Sequence, residues 1–339
     1  MLNTENTENT EKQQKKIIVT GGYGLVGQAI QTIVKNHNLE TENETFLFFS
    51  SKDYDLTSME QTRQLFQTHR PTHVIHLAAN VGGLFKNMNH KVDMLEKNMT
   101  INYNVIKTAH DFKVQKLVAC LSTCIFPDAI QTYPITEEML HNGPPHPSND
   151  AYAYAKRMLE IHCRAYRENY GDNFVCVSPT NVYGPHDNFN LEDGHVLPAL
   201  IHKCFLAKQA NTDFVVRGTG KPMRQFIYSE DLAQMMLTVL FLEEWDDTIP
   251  IPGNLILSSS EEDEISIGEV AKQIAECFDY ETRIRMDSSY SDGQYKKTVS
   301  NEKIMKIVNK ICPTFEYTSM EEGIRKTVQW FLENENKRV

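Results

Sequence analysis

Residues 15–36 read KKIIVTGGYGLVGQAIQTIVKN, and the character of the chain changes at their centre. Positions 16–20 form a short, largely apolar and β-branched run, the composition of a strand. After the glycines, Leu25, Val26, Ala29, Ile30 and Ile33 recur at helical spacing. Between the two runs Gly21, Gly24 and Gly27 make a GxxGxxG. Such glycines permit a tight turn and let backbone N–H groups approach a pyrophosphate at a helix N-terminus. Three glycines can also be no more than a turn. Here they follow a strand and open a helix, the start of a dinucleotide-binding unit.

The same alternation continues downstream. TFLFFS at 45–50 predicts a strand, 58–69 a helix, and THVIHLAA at 72–79 the next strand. A helix is expected over 91–112, a strand over 116–122, and a long helix over 151–171 that closes on Gly171 as its C-cap. FVCVSPTNVYGP reads as strand then loop. Strands alternating with helices imply a parallel sheet covered on both faces, a Rossmann-type doubly wound α/β domain. Beyond about 185 the rhythm loosens into short strands at 214–218 and 254–259, with helical patches near 196–208, 229–243, 266–278 and 319–336. The expected organisation is a disordered leader over 1–15 and an NADP-binding Rossmann domain over 16–185. A smaller, mainly substrate-binding α/β lobe is expected over 186–339, its segments free to interleave with the first.

Bulk properties bound the function. The chain has 339 residues, 40% of them apolar, and a formal net charge of −11. That balance argues against nucleic acid as main partner, because counterion release rewards the opposite sign. It leaves room for an anionic small molecule held by a local basic pocket. The leader MLNTENTENTEKQQKK has no apolar run, so no secretory signal is expected, and no segment offers the roughly twenty apolar residues of a membrane span. Seven cysteines without a CxxC pair fit reduced thiols in a cytoplasmic protein, with no structural zinc expected.

Two features suggest redox chemistry. At the end of the second strand an acid would take the ribose 2′-hydroxyl of NAD. This chain offers Ser50, Ser51 and Lys52 there, with Asp53 only after them. Hydroxyls and a cation suit a 2′-phosphate, so the expected cofactor is NADP(H). Asp55 could hold the adenine amine or cap the next helix. Tyr152 and Lys156 lie four apart on a helix and share a face. A neighbouring ammonium favours the phenolate, and the spacing predicts a phenol pKa lowered by about 1–3 units. Ser122 precedes them at the end of the fourth strand.

The order of glycine loop, Ser122, Tyr152 and Lys156 resembles the extended short-chain dehydrogenase/reductase family, which includes nucleotide-sugar epimerases, dehydratases and reductases. Within it, LSTCIFP, NVYGPHDNF, GHVLPAL, GKPMRQFIY and SDGQYKKT together resemble bifunctional 3,5-epimerase/4-reductases. The resemblance implies conversion of GDP-4-keto-6-deoxy-D-mannose to GDP-L-fucose with NADPH, by a homodimer that uses no membrane. It implies Ser122, Tyr152 and Lys156 as the reductive set and Cys124 with His195 as acid–base groups for epimerisation. Cys and His have pKa values near the working pH, as such a task requires. Cofactor contacts implied are Gly21, Gly22, Tyr23, Gly24, Leu25, Val26 and Gly27, then Ser51, Lys52 and Asp55. Leu77, Ala78 and Ala79 follow, with Pro179, Asn181, Val182, His195 and the Tyr152–Lys156 pair. Lys203, Arg217, Arg224, Asp292 and Lys297 would contact the GDP-sugar. Many bacterial members have arginine at the position of Lys203 and an aromatic residue at that of Arg217, and a lysine lacks the bidentate fork. Two other readings stand beside this one. One is a nucleotide-sugar 4-epimerase or 4,6-dehydratase, although a dehydratase would place an acidic pair where Thr123 and Cys124 stand. The other is a non-catalytic NADP-sensing module, which would have no use for Ser122, Tyr152 and Lys156.

Overall fold

The computed structural model describes residues 14–242, 253–290, 292 and 295–334. Positions 1–13 of the expected leader lie outside the described residues, as do the last residues of the helices expected to reach 243 and 336. The first half runs β1 (Lys15–Thr20), α1 (Leu25–Asn36), β2 (Glu44–Phe49), α2 (Met59–His69), β3 (His73–His76), α3 (Leu84–Asn89), α4 (Lys91–Asp111), β4 (Lys116–Cys120), α5 (Asp150–Tyr170) and β5 (Phe174–Pro179). Then come β6 (Asn181–Tyr183), α6 (Val196–Ala210), β7 (Phe214–Arg217), β8 (Met223–Arg224), β9 (Phe226–Tyr228), α7 (Ser229–Phe241) and β10 (Asn254–Leu257). The chain ends with β11 (Ile265–Ser266), α8 (Ile267–Glu276), β12 (Ile284–Asp287), α9 (Glu302–Ile311) and α10 (Met320–Glu333).

Six parallel strands form the central sheet in the order β10-β5-β4-β3-β1-β2. Successive side chains of β1 alternate between faces, as strand geometry requires. Ile17 and Val19 join the layer with Ile30 of α1, Leu232 and Met236 of α7, and Ile304 of α9. Ile18 joins Phe66, Val105 and Leu159 from α2, α4 and α5 on the opposite face. β10 and the helices α7 and α9 therefore reach this sheet from beyond residue 186. A third core, built on Phe189, Phe214 and Phe331, holds the smaller lobe. The strands expected over 72–79 and 116–122 stop at His76 and Cys120. Leu77 N–H still bonds the Thr20 carbonyl and Leu121 N–H the Val177 carbonyl, after which the chain leaves the ladder.

Sheet order reverses at β1, with β2 on one side and β3 on the other, so a crevice opens at their carboxyl ends. Gly21 follows β1 with φ +69°, and a Cβ on it would lie 2.8 Å from the backbone N of Ala78, just past β3. The two loops meet backbone to backbone, which only glycine allows.

Phe331 is fully buried, with ring centroids 4.9 Å from Phe189 and 5.4 Å from Phe205. Phe331→Ala should cost about 3–5 kcal/mol. Urea denaturation followed by tryptophan fluorescence measures the loss; a change under 1 kcal/mol would show that this core can collapse around the void.

Candidate active site

The carboxyl ends of β1, β3, β4 and β5 open into one cleft of ≈ 1700 Å³, which the smaller lobe walls on the far side. At its floor α1 starts from Gly24, with no side-chain cap and no acid in its first turn, so its leading N–H groups are left for a ligand. A Cβ on Gly24 would meet only the Gly21 carbonyl at 3.5 Å, whereas one on Gly27 would strike the Gly22 carbonyl carbon at 2.4 Å. Gly24 thus leaves space toward the cleft, and Gly27 lets the helix pack under the loop. Gly22 is occupied structurally: its N–H bonds the Phe49 carbonyl and its carbonyl accepts from Gln31, and it does not line the cleft.

Past β2 both acids are turned back on their own loop. Asp53 accepts from the Ser50 N–H and hydroxyl at 2.8 and 2.7 Å. Asp55 accepts from the Thr57 N–H and hydroxyl at 2.9 and 2.7 Å. Ser58, not Asp55, caps α2. Ser51 and Asp55 line the cleft, while Lys52 stands outside it. The donor set fits a dinucleotide, and with both carboxylates engaged it suits one bearing a 2′-phosphate.

Beyond β3 a buried chain ties the floor together. The Thr20 hydroxyl bonds His76 Nδ1 at 2.8 Å and also accepts from Ala78 N–H at 3.3 Å, and His76 Nε2 meets Asn102 Oδ1 at 3.1 Å. Nothing in the sequence pattern pairs these residues. Burial, helped by the charge of Lys156, pushes His76 down to about 3, so its imidazole is neutral. Leu77, Ala78 and Ala79 line the cleft immediately after it.

Ser122, Cys124, Tyr152 and Lys156 gather at the end of β4. Ser122 caps a single helical turn over Thr123–Ile125, its hydroxyl accepting from the Cys124 N–H at 3.3 Å. Lys156 Nζ donates to the Cys120 carbonyl at 2.7 Å, and Arg157 Nε to the Ile125 carbonyl at 2.6 Å. Adjacent cations of α5 thereby pin the two ends of the Ser122–Cys124 turn. Sequence reasoning passed over both Cys120 and Arg157, because main-chain acceptors leave no sequence signature.

Tyr152 lies one turn before Lys156, whose ammonium sits 5.8 Å over its ring. Burial and then the neighbouring Cys124 and Cys120 raise its phenol well above the ordinary value. The lowering expected from helical spacing is therefore corrected: the ammonium is bonded to the strand carbonyl and lies over the ring face. Burial also pushes Lys156 down, opposed by the nearby thiols. It pushes Cys124 up, opposed first by Lys297, then by the Ser122 hydrogen bond and Lys156.

His195 arrives from the smaller lobe as the residue before α6, open to water inside the cleft but with enough protein around it to lower its pKa. Its loop holds its own shape. Asn188 Oδ1 accepts from Asn190 N–H, and Asn190 Oδ1 from the N–H groups of Glu192 and Asp193. Pro179, Asn181 and Val182 at and after the end of β5 line the cleft, as do Arg224, Asp292 and Lys297. Asp292 is held by the Thr219 N–H and hydroxyl. Lys203 and Arg217 repel one another nearby, with Arg217 4.7 Å over the Tyr290 ring, and neither lines the cleft.

Residues 17–247 match the NAD dependent epimerase/dehydratase family. The chain is 51% identical over 321 residues to the GDP-L-fucose synthase of Dictyostelium discoideum, covering 95% of this chain and 96% of that one. It is 46% identical to the probable GDP-L-fucose synthase of Drosophila melanogaster, covering 94% and 98%. The chain belongs to the GDP-L-fucose synthase family. A crystal structure of a family member, the GDP-L-fucose synthetase from Naegleria fowleri bound to NADP, superposes with a TM-score of 0.86 at 50% identity, covering 96% of both chains.

The neutral His76 has a stability consequence. Its folded pKa of about 3 lies below the ordinary 6.5, so the unfolded chain binds the extra proton between these values. The contribution is complete above pH ~6.5 and is lost as pH falls toward ~3, about 3 kcal/mol between pH 7 and pH 4. In His76→Gln the drop in urea-derived stability from pH 7 to pH 4 should be smaller by that amount. Equal slopes in the two proteins would show that His76 is protonated in the fold.

Proposed function

We propose that the chain is an NADPH-dependent epimerase–reductase that converts GDP-4-keto-6-deoxy-D-mannose to GDP-L-fucose. The observation that carries this reading is the Ser122–Thr123–Cys124 turn, which sets a thiol beside a hydroxyl in the cleft that also holds Tyr152, Lys156 and His195. Reduction of a ketone uses a proton donor; the extra thiol answers the need of epimerisation for a second acid–base group. The named activity of the relatives agrees with the reading.

The C4 ketone acidifies the hydrogens at C3 and C5. Inverting either centre takes one group to remove a proton and another to return one from the opposite face, and Cys124 and His195 fill these roles. Ser122 and Tyr152 donate hydrogen bonds to the ketone oxygen while negative charge develops on it. Burial keeps the Tyr152 phenol protonated, which is the form able to donate when the oxygen finally needs a proton. Lys156, fixed to the Cys120 carbonyl, orients the cofactor side of the cleft. NADPH, when bound, would supply the hydride at C4. The N-terminus of α1 with Gly24 and Gly27 would hold its pyrophosphate, and Ser51 with the neighbouring Lys52 would meet the 2′-phosphate. Arg224 and Lys297 face the anionic part of the GDP-sugar, with Lys203, Arg217 and Asp292 toward its nucleotide end.

Product analysis by NMR in heavy water tests this. Cys124→Ser should slow deuterium incorporation at C3 and C5 by about 10²–10⁴-fold, while hydride transfer to C4 survives and gives a 6-deoxy sugar of the wrong configuration. Tyr152→Phe should abolish reduction yet still bind NADPH. Wild-type yields of GDP-L-fucose from Cys124→Ser would sink the assignment.

The working unit we propose is a homodimer joined through α4 and α5. Val92, Met99, Tyr103, Met158, Ile161 and Tyr170 are exposed apolar side chains on these two adjacent helices. Met158→Glu should yield a monomer by light scattering; an unchanged mass would place the contact elsewhere. No described helix is long and apolar enough to cross a membrane, and the seven cysteines are free. Free thiols suit the cytoplasm, which fractionation of a tagged chain would check.

A further inference from the structure

Lys297 enters the cleft from the last part of the chain, on a segment that the loop after Cys124 holds in place. Ile135 and Val299 form a parallel bridge. Ile135 N–H donates to the Thr298 carbonyl at 2.9 Å and Ser300 N–H to the Ile135 carbonyl at 2.8 Å. The Tyr133 hydroxyl donates to the Lys296 carbonyl at 3.0 Å. Gln225, the neighbour of Arg224, accepts the Val299 N–H at 2.7 Å and returns its amide to the Val299, Ser259 and Ser260 carbonyls, each at 3.2 Å. Lys297 is therefore flanked on both sides by residues bonded to the loop that follows the Cys124 turn.

Its side chain is half-buried and lines the cleft with Cys124 and Arg224. Burial lowers its pKa; the Cys124 thiol opposes that most, Arg224 adds to it and Asp128 opposes it. The relation is reciprocal, because Lys297 is the strongest influence against the burial that raises Cys124. From α5 the thiol also faces Lys156, Tyr152 and Arg157, but the two cations there already serve the carbonyls of Cys120 and Ile125. A thiol in apolar surroundings is a poor base, and an adjacent cation is what makes its proton removable.

We propose that Lys297 is the electrostatic partner of Cys124, a positioning residue whose ammonium stabilises the thiolate against the burial around it, in addition to any contact it makes with the anionic substrate. This rests on the reading of Cys124 as an acid–base group only for its consequence in turnover. The pairing itself can be measured without substrate or cofactor.

The test is the pH dependence of iodoacetamide alkylation of Cys124 in the ligand-free protein, followed by mass spectrometry of its peptide in wild type, Lys297→Met and Lys297→Arg. Removing the charge should raise the alkylation midpoint by about one unit or more, slowing modification at pH 7 roughly tenfold. Arginine should keep the midpoint near wild type, because it retains the charge. A Met variant titrating like wild type overturns the proposal, as does an Arg variant shifted as far as Met. Deuterium incorporation at C3 and C5 is read on the same proteins with NADPH. A shifted midpoint with undiminished incorporation supports the pairing and sinks instead the role of Cys124 in epimerisation.

Discussion

The site depends on one hydrogen bond, from the buried ammonium of Lys156 to the carbonyl of Cys120. An amine taken out of water must find partners of this kind or give up its charge. The acceptor is the last carbonyl of β4, at the point where the parallel ladder ends. Satisfying it therefore fixes the α5 helix axially against the sheet. Tyr152 follows one turn away, and Ser122 and Cys124 follow along the strand's own continuation. Arg157 repeats the device one residue on, with the Ile125 carbonyl as acceptor. The Ser122–Cys124 turn hangs between two charged anchors, with Leu121, Ile125 and Phe126 buried in the core on either side of it.

The opposite wall is assembled by different means. His195 belongs to a loop rich in Asn and Asp, whose side-chain carbonyls cap successive N–H groups of the same loop. That loop is moored twice: Phe189 inserts into the aromatic core of the smaller lobe, and the Asp193 carbonyl accepts the Gly83 N–H from the loop after β3. A Cβ on Gly83 would lie 3.0 Å from the Asp193 and Gly194 carbonyl oxygens, so the approach is close enough to disfavour a side chain there. Gly83 brings the loop after β3 and the loop of His195 into direct contact.

What the sequence disclosed follows from which constraints are local. The strand, glycine turn and helix of residues 15–36 were legible because each demands particular residues at short spacing. Tyr152 and Lys156 were legible as a pair for the same reason, and Cys124 and His195 only through the resemblance of whole motifs. The Thr20–His76–Asn102 chain joins residues far apart in sequence, with no periodicity to announce it. The placement of β10 was equally hidden, since an apolar run such as NLIL reads alike in any sheet. The direction of the Tyr152 shift was misread because spacing reports which side chains share a face, and not which backbone atom one of them prefers.

The central sheet also carries a constraint on how the chain is made. β5 is flanked by β4 on one side, and its other neighbour is β10, which the chain supplies only after the His195 loop, α6 and α7 have been built. Until residue 257 leaves the ribosome, β5 presents a row of unpaired amides and carbonyls, the kind of edge on which nascent chains stick to one another. The central sheet is thus unfinished for as long as the later part of the chain is missing. Such a topology ties completion of one lobe to synthesis of the other and leaves no early stage at which the first could stand alone with its sheet closed.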